Sequence, residues 1–252
     1  MIKIALVGIN GKMGQVICKL LADSETFTIS YGVDINTKIQ NSVPVYPSLA
    51  EAKELCDVII DFSHPTSLES TLEYAKANHK GAVIATTGLS KEQIKSIEET
   101  AKFTPLFFSA NMSLGVNLLI QLAKKATSIL EDNFDIEIIE KHHNQKIDAP
   151  SGTALAIADA IDATCNNSNE FIYDRHSVRK KRSKNEIGIH SLRGGTIVGE
   201  HSVIFAGNDE IIELKHTATS KEIFAVGAVK AASFLIGKEP GLYNMDSLIG
   251  GT

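Results

Sequence analysis

The residues of this chain best suited to proton chemistry lie in one short segment, residues 137–154, with the sequence E-I-I-E-K-H-H-N-Q-K-I-D-A-P-S-G-T-A. This signature segment runs from an apolar strand through a polar turn into a helix start. His142, His143 and Lys146 belong to the residue types that donate protons near neutral pH, histidine as it is and lysine after burial. Packing does not explain so many proton-active groups at one turn, so the segment is a candidate active site.

The two histidines are adjacent at the end of the predicted strand. Neighbouring strand side chains point to opposite faces, so the spacing of His142 and His143 does not favour a shared metal site. No carboxylate or cysteine ligand pattern joins them, and we expect no metal. Lys146 follows in the turn, from which its side chain can reach back toward one of the histidines.

A helix start follows the turn. Pro150 prevents an earlier start, and Ser151-Gly152-Thr153 opens the helix. The free N–H groups of a helix N-terminus attract an anion, and Gly152 lets a ligand approach the backbone. We interpret the segment as a site for a carboxylate-bearing substrate beside a proton source, with a nicotinamide as the hydride donor. A capped helix with a surface histidine pair is the alternative, because Ser caps and turn lysines are common.

A glycine-rich turn at the front of the chain is the candidate cofactor site. Gly8, Gly11 and Gly14 are spaced G-x-x-G-x-x-G, so the general dinucleotide pattern G-x-G-x-x-G fails. The context still favours a dinucleotide, because the apolar strand Ile2–Val7 precedes the turn and an amphipathic helix follows it. A tight strand-to-helix turn without a ligand is the alternative.

Asp34 ends the second predicted strand, twenty residues after Gly14. A carboxylate there accepts the ribose hydroxyls of NAD and repels a 2′-phosphate. Ile35 and Asn36 offer no cation, although Lys12 and Lys38 could supply one. We therefore expect NADH, with NADPH tolerated; an ordinary turn aspartate is the alternative.

Two more strand ends carry polar residues. Ala85-Thr86-Thr87-Gly88 offers small residues and hydroxyls where a flat ring could approach the backbone. A plain turn with a Thr cap is the alternative. Asp61-Phe62-Ser63-His64-Pro65 lies at the same predicted edge, and His64 is interpreted as a loop histidine.

The front half alternates strands and helices, which predicts an α/β unit with a parallel sheet. After Asn111 the alternation stops, and a long helix over Leu114–Leu130 precedes a strand over Phe134–Lys141. Three later strands joined by glycine turns predict an α+β unit with antiparallel pairing and about four strands. The last helix, Glu222–Ile236, is expected to pack back on the front unit. Between the Phe134–Lys141 strand and these three strands we predict a helix over Ala154–Ala163 and a polar loop over residues 166–185. The three strands are predicted over Ile187–Leu192, Thr196–Phe205 and Glu210–Lys215.

Composition excludes several classes of protein. The 252 residues carry a net charge of −5, which argues against a general nucleic-acid binder. No apolar run is long enough to span a bilayer, and the N-terminal stretch does not resemble a signal peptide. Three distant cysteines fit a reducing cytoplasm. The basic run Arg179–Lys184 is interpreted as a solvated loop, with steering of an anionic substrate as the alternative.

The signature segment resembles that of the bacterial dihydrodipicolinate reductase family at nearly every position. The resemblance extends over nearly the whole chain, and the glycine spacing that departs from the general pattern is the family's own form. Further stretches that resemble the family, in its order, are Gly8–Gly14, Asp61–Ser63, Ala85–Gly88, Ser109–Asn117, Gly199–His201 and Gly241–Met245.

This resemblance implies the reduction of a cyclic imine dicarboxylate to tetrahydrodipicolinate, in the diaminopimelate route to lysine, by NADH or NADPH. It implies that His142 is the catalytic proton donor, with Lys146 as its partner. It also implies a substrate site that includes His143, Ser151, Gly152 and Thr153. The implied dinucleotide contacts are Gly8, Ile9, Asn10, Gly11, Lys12, Met13, Asp34, Ala85, Thr86, Thr87, Ser109, Ala110, Asn111 and Met112.

The resemblance also implies the organisation of the chain. Residues 1–111 with 220–252 are expected to form a Rossmann-like dinucleotide domain. Residues 112–219 are expected to form a smaller α+β substrate domain with a mixed, largely antiparallel sheet, joining a cytoplasmic homotetramer through its sheets. Two departures are Ile35, where many members carry a basic residue, and Lys221, where an arginine is expected and a bidentate carboxylate contact could be weakened.

Two other functions remain open on the sequence. One is a different nicotinamide dehydrogenase acting on an amino or keto acid. The other is a nucleotide-sensing protein without turnover, which would have no use for the proton donors of the signature segment.

Overall fold

The computed structural model describes residues 1–165 and 168–250, so residues 166 and 167 of the expected polar loop lie outside the described part. The chain divides into two compact units, Met1–Leu114 with Glu222–Thr252 and Gly115–Lys221. The strands are β1 Ile2–Val7, β2 Phe27–Val33, β3 Val45–Tyr46, β4 Val58–Asp61, β5 Gly81–Ile84, β6 Pro105–Phe108, β7 Asp135–His142, β8 Glu170–Ile172, β9 Glu186–Arg193, β10 Gly199–Ala206, β11 Ile211–Ala218 and β12 Gly241–Tyr243. The helices are α1 Lys12–Leu21, α2 Leu68–Ala77, α3 Lys91–Thr100, α4 Leu114–Leu130, α5 Gly152–Thr164, α6 Glu222–Leu235 and α7 Met245–Ile249.

The first unit is built on a seven-stranded parallel sheet in the order β12-β6-β5-β4-β1-β2-β3. Its central strands are buried on both faces, as their continuous apolar sequences predict. Helices α1 and α6 pack on one face, where Ile17 and Ala228 meet Ile4 and Ile60. Helices α2 and α3 pack on the other face. Because α6 packs on this sheet, the expected return of the last long helix to the first unit is confirmed.

The second unit contains a five-stranded mixed sheet in the order β11-β10-β7-β9-β8. Alternate residues of β7 are buried, and Ile136 and Ile138 pack with α4 and α5 on one face. The opposite face, which we call the open face, carries half-buried polar and apolar side chains such as Glu137 and Ile139. The expected combination of an α/β unit and an α+β unit is confirmed.

One predicted pairing is wrong. We expected β9 and β10 to be hydrogen-bonded neighbours across Gly194-Gly195, but β7 lies between them. Strand β9 runs parallel to β7 because the chain returns through α5 before it forms β9, whereas β10 is antiparallel to β7 on its other side. The loop from β9 to β10 crosses the end of β7, where Gly194 donates to the carbonyl of His142 at 3.0 Å. The expected β10–β11 hairpin is present.

Several short elements were not predicted. Strands β3, β8 and β12 have two or three residues each, too few for a period-two pattern to be recognised. The second sheet consequently has five strands instead of about four.

The basic run lies in a loop and all of its residues except Arg182 are exposed, as expected, but several of its cations are paired. Arg182 donates to Asp135 at 2.8 Å and to Glu137 at 3.0 Å, and Lys184 donates to the carbonyl of Phe134 at 3.1 Å. Lys180 lies 3.1 Å from the carboxylate of Glu186. These cations neutralise carboxylates of β7 and β9, so the run fastens its loop to the second sheet.

Candidate active site

A buried carboxylate is the centre of the candidate site. The two-residue period of β7 puts Glu140 on the same face as His142, and Glu140 is fully buried. Its Oε2 lies 2.6 Å from Nδ1 of His142. Arg193 donates to Oε2 at 2.8 Å and to Oε1 at 2.7 Å, and the backbone N–H of Ser151 donates to Oε1 at 3.1 Å.

The carboxylate of Glu140 is charged. Burial by itself raises the pKa of this carboxyl, but hydrogen bonds from Arg193, His142 and Ser191 and from the Ser151 backbone bring the pKa down to about 2. Because an ionised carboxylate only accepts hydrogen bonds, Nδ1 of His142 must carry a proton. Nε2 is therefore the nitrogen through which His142 can exchange a proton with a ligand.

The imidazole of His142 is enclosed on two further sides. A Cβ added at Gly199 would lie 3.1 Å from Nε2 of His142, so the ring rests against a position without a side chain. The ring of His201 meets that of His142 edge to face, with centroids 5.2 Å apart. Gly199 and His201 both come from β10, so β10 and β7 together fix the orientation of the ring.

The helix start is formed as expected, with Ser151 as the N-cap of α5. The Ser151 hydroxyl accepts from the backbone N–H of Ala154 at 3.1 Å and lies 3.1 Å from Nε2 of His201. Ser151 is buried, whereas Gly152 is exposed and a Cβ added there would meet no atom within 4 Å. The first turn of α5 therefore has room beside its backbone.

Lys146 lies in the turn but does not reach back to a histidine. Its Nζ is 2.8 Å from Oδ1 of Asp148. The hydrogen bond from Lys146 is the main cause that lowers the pKa of the Asp148 carboxyl. His143 is half-buried on the other side of the strand end. The turn thus presents the ammonium group of Lys146 beside the carboxylate of Asp148.

The expected cofactor residues lie at the carboxyl ends of four strands of the first unit. Gly8–Met13 follow β1, Asp34 follows β2, Ala85–Thr87 follow β5 and Ser109–Met112 follow β6. Gly8 adopts a φ of 81°, which favours glycine, and a Cβ there would lie 2.8 Å from the carbonyl oxygen of Phe62. Gly8 is therefore required by the packing of this turn against the backbone after β4.

A cavity of about 620 Å³ opens beside this glycine turn. Asp34 lines it, and its carboxylate accepts from the backbone N–H groups of Asn10 at 3.0 Å and of Asn36 at 2.9 Å. Each oxygen retains a further lone pair for a ribose hydroxyl. The side chain of Ile35 is 99% exposed and adds no charge. Other lining residues include Gly8, Gly11, Val33, Ser63, His64, Thr66, Ser67 and Ser70.

Residues of the two sites that sequence reasoning did not assign are Glu140, Arg193, His201, Asp148 and Asp61. Asp61 is fully buried and accepts from Thr71 at 2.8 Å, from Thr86 at 3.0 Å and from Ser63. It therefore fixes Thr86, one of the expected cofactor contacts. The spacing of Glu140 and His142 could have been recognised from the strand period, whereas the partners of Glu140 on β9 required the tertiary structure.

Comparison with known proteins gives a consistent result over both units. Residues 2–112 match the family described as "Dihydrodipicolinate reductase, N-terminus", and residues 115–249 match "Dihydrodipicolinate reductase, C-terminus". The 4-hydroxy-tetrahydrodipicolinate reductase of Caldanaerobacter subterraneus subsp. tengcongensis is 53% identical over 249 residues, covering 99% of this chain and 98% of the relative. That of Clostridium tetani is 50% identical over 249 residues, covering 99% and 97%.

A solved structure shares the fold. The chain described as "Dipicolinate bound Dihydrodipicolinate reductase from Paenisporosarcina sp. TG-14" aligns with a TM-score of 0.83 and 24% identity, covering 99% of both chains. Within the described residues, no helix combines the length and the apolar character needed to cross a membrane.

Proposed function

This chain belongs to the dihydrodipicolinate reductase family, and from that premise we propose which of its residues perform the reaction. The enzyme is an oxidoreductase that uses a nicotinamide dinucleotide to reduce a cyclic imine dicarboxylate to tetrahydrodipicolinate, in the diaminopimelate route to lysine. We propose that the first unit binds the dinucleotide and that the second unit binds the dicarboxylate.

His142 is the proposed proton donor. The observation that carries this assignment is the 2.6 Å contact between Nδ1 of His142 and the buried carboxylate of Glu140, which leaves Nε2 for the substrate. Lys146 is the proposed partner. A cation at this turn favours the bound carboxylates and can share in proton supply.

The dicarboxylate is proposed to bind at the start of α5. The N–H groups of Gly152 and Thr153 lie in the first turn, where a helix attracts anions, and the surface beside Gly152 is open. His143 is proposed to contact a second carboxylate. The Ser151 side chain is buried and acts as the N-cap, so its proposed contribution is to hold this first turn.

The dinucleotide supplies a hydride when it is bound. The proposed contacts are Gly8–Met13, Asp34, Ala85–Thr87 and Ser109–Met112, and the 620 Å³ cavity beside Asp34 suits the adenosine half. We propose a preference for NADH with NADPH tolerated, because Asp34 accepts hydroxyls and repels a 2′-phosphate and the neighbouring Ile35 adds no cation.

We propose a homotetramer assembled through the open faces of the second sheet. That face carries half-buried Ile139 and Ile204 and 47% exposed Leu192 among charged residues. Light scattering of the wild type and of Ile204→Lys tests this assembly: a tetramer that the substitution disrupts agrees with it, whereas a wild-type monomer contradicts it. A cytoplasmic location is also proposed, supported by the free thiols of Cys18, Cys56 and Cys165.

The catalytic assignment is tested with substrate generated enzymatically in the assay, following nicotinamide absorbance. His142→Gln should lower kcat by roughly two to four orders of magnitude, the usual contribution of a positioned acid. Near-normal turnover of this variant would remove His142 from the role. If the wild type oxidised neither NADH nor NADPH, the proposed site and reaction would both be wrong.

A further inference from the structure

We propose that Glu140, oriented by Arg193, is the positioning residue that fixes the tautomer of His142 and stabilises its protonated form. The proposal rests on the assignment of His142 as proton donor and deepens it. Among the described residues, Glu140 contacts His142 directly, whereas Arg193 acts through Glu140.

The first argument is hydrogen-bond capacity. The carboxylate of Glu140 accepts from Ser151 and Arg193 at Oε1 and from Arg193 and His142 at Oε2, and the Ser191 side chain also donates to it. The bidentate fork of Arg193 leaves the carboxylate a single orientation. The ring of His142 is therefore held at Nδ1 by a group that cannot rotate.

The second argument is the set of charges facing His142. Glu140 on β7 is the anion in contact with the ring, and Arg193 on β9 is the cation bound to that anion. His201 on β10 faces the ring from another side, and burial together with the nearby His142 lowers the pKa of His201 to about 4, which keeps it neutral. Lys146 in the turn is paired with Asp148. The imidazolium of His142 therefore depends on Glu140 for its countercharge.

A purely architectural role for the same pair is the competing interpretation. Arg193 also donates to the carbonyl of Asp148 at 2.6 Å and to that of Leu192 at 2.7 Å, so the pair could serve only to hold the signature turn. The two interpretations differ in one respect. A group that sets the charge of His142 must shift the pH dependence of catalysis, whereas a group that only holds the backbone lowers activity equally at every pH.

The chain offers a matched control on the other face of the same strand. Oε2 of Glu137 lies 2.7 Å from Nε2 of His190, and Glu137 is also bound by Arg175 at 2.6 Å and by Arg182 at 3.0 Å. This carboxylate thus has a histidine and arginine partners like Glu140, but it lies on the opposite face of β7 from His142. Glu137→Gln reports what the loss of such a carboxylate does to the sheet alone.

The experiment is the pH profile of kcat/KM for Glu140→Gln, Arg193→Gln and Glu137→Gln. A proton donor is active only while it is protonated, so its loss of a proton forms the alkaline limb. Without the Glu140 carboxylate the imidazolium loses its countercharge, and the alkaline limb should move to lower pH. Without the Arg193 cation the imidazolium is favoured, and the limb should move to higher pH. Glu137→Gln should leave the limb in place.

At neutral pH, Glu140→Gln should also lower kcat by about one to two orders of magnitude, a smaller decrease than that expected for His142→Gln. The KM for the dinucleotide, bound by the other unit, should stay within about twofold. Limbs that do not move, or that move in the same direction in both variants, would overturn the proposal in favour of the architectural role. If Glu140→Gln is insoluble, Arg193→Gln decides alone: a limb unmoved or at lower pH contradicts the proposal.

A measurement without turnover separates this proposal from the assignment of His142 itself. In ¹⁵N-labelled enzyme, the imidazole signals of His142 should report a proton on Nδ1 in the wild type and a mixture of tautomers in Glu140→Gln. If His142→Gln retains turnover but the wild-type ring shows the Nδ1–H form, the catalytic assignment has failed while the orienting contact stands. If the wild type carries its proton on Nε2, the orienting contact is wrong.

Discussion

The Ser151 hydroxyl lies 3.1 Å from Nε2 of His201, so the N-cap of α5 contacts the histidine of β10 that packs against His142. The same hydroxyl accepts from the backbone N–H of Ala154, so its own proton is available to Nε2. His201 is 4% exposed and its pKa is lowered to about 4, first by burial and then by the nearby His142. Two adjacent rings are thus held in different states, His201 neutral and His142 bound to a carboxylate.

The neutral His201 should make folding stability depend on pH. Between about pH 6.5 and pH 4 the unfolded chain binds a proton at this histidine and the folded chain does not. The free energy of unfolding should therefore fall by about 3 kcal/mol as the pH drops through this window. Urea titrations of wild type and His201→Gln measure it, and the variant should show a smaller slope. The exposed His176→Gln is the control, and equal slopes in all three proteins would contradict the expectation.

Gly199→Ala should disturb catalysis more than folding. The added Cβ would lie 3.1 Å from Nε2 of His142, so the ring must shift by a few tenths of an ångström. We expect kcat to fall roughly tenfold, because small displacements of a catalytic group are costly. Steady-state kinetics together with thermal unfolding measure both effects. Gly194→Ala is the control, since a Cβ there meets no atom within 4 Å, and an equal loss in both variants would show that the effect is not specific to His142.

Lys146→Gln should lower the catalytic efficiency of the enzyme with the dicarboxylate. Loss of the ammonium group removes a cation from the proposed substrate site, so kcat/KM for the dicarboxylate should fall by about two orders of magnitude. The KM for NADH should be unchanged. Lys141→Gln is the matched control, because Lys141 lies in β7 shortly before this turn and pairs with Glu200 at 3.3 Å on the open face. A fall of the same size in the control would contradict a special role for Lys146.

Asp34→Ala should weaken the binding of NADH more than the binding of NADPH. The carboxylate is proposed to accept the ribose hydroxyls, and its removal also relieves repulsion of a 2′-phosphate. We expect the KM for NADH to rise about tenfold, in line with the loss of charge-assisted hydrogen bonds. Loss of the hydrogen bond from the Asn10 backbone would affect the KM of both cofactors alike, so the ratio of the two KM values is the readout. An equal loss for both would put Asp34 outside the adenosine ribose site.

A companion substitution tests the same preference in the opposite direction. Ile35→Arg places a cation at a position whose side chain is 99% exposed and lines the cofactor cavity. The KM for NADPH should fall while that for NADH changes little. No change for NADPH would show that the 2′-phosphate binds elsewhere.

The sequence by itself determined most of the secondary structure and the segment that is the candidate for the chemistry. Apolar runs such as Ile2–Val7, followed by glycines, specify buried parallel strands because strand length and burial are local properties of a pattern. The cap at Ser151 follows from the side chain and the proline before it. The fold class and the candidate residues of the signature segment could therefore be predicted.

Only the tertiary structure decided which residues meet from different strands. The sequence placed β10 beside β9, whereas β7 lies between them, since pairing depends on how the chain returns through α5. That arrangement brings Arg193 to Glu140, 53 residues away in the sequence, and His201 to His142. A local pattern contains no information on such contacts, because these side chains approach one another only after the strands of the sheet have paired.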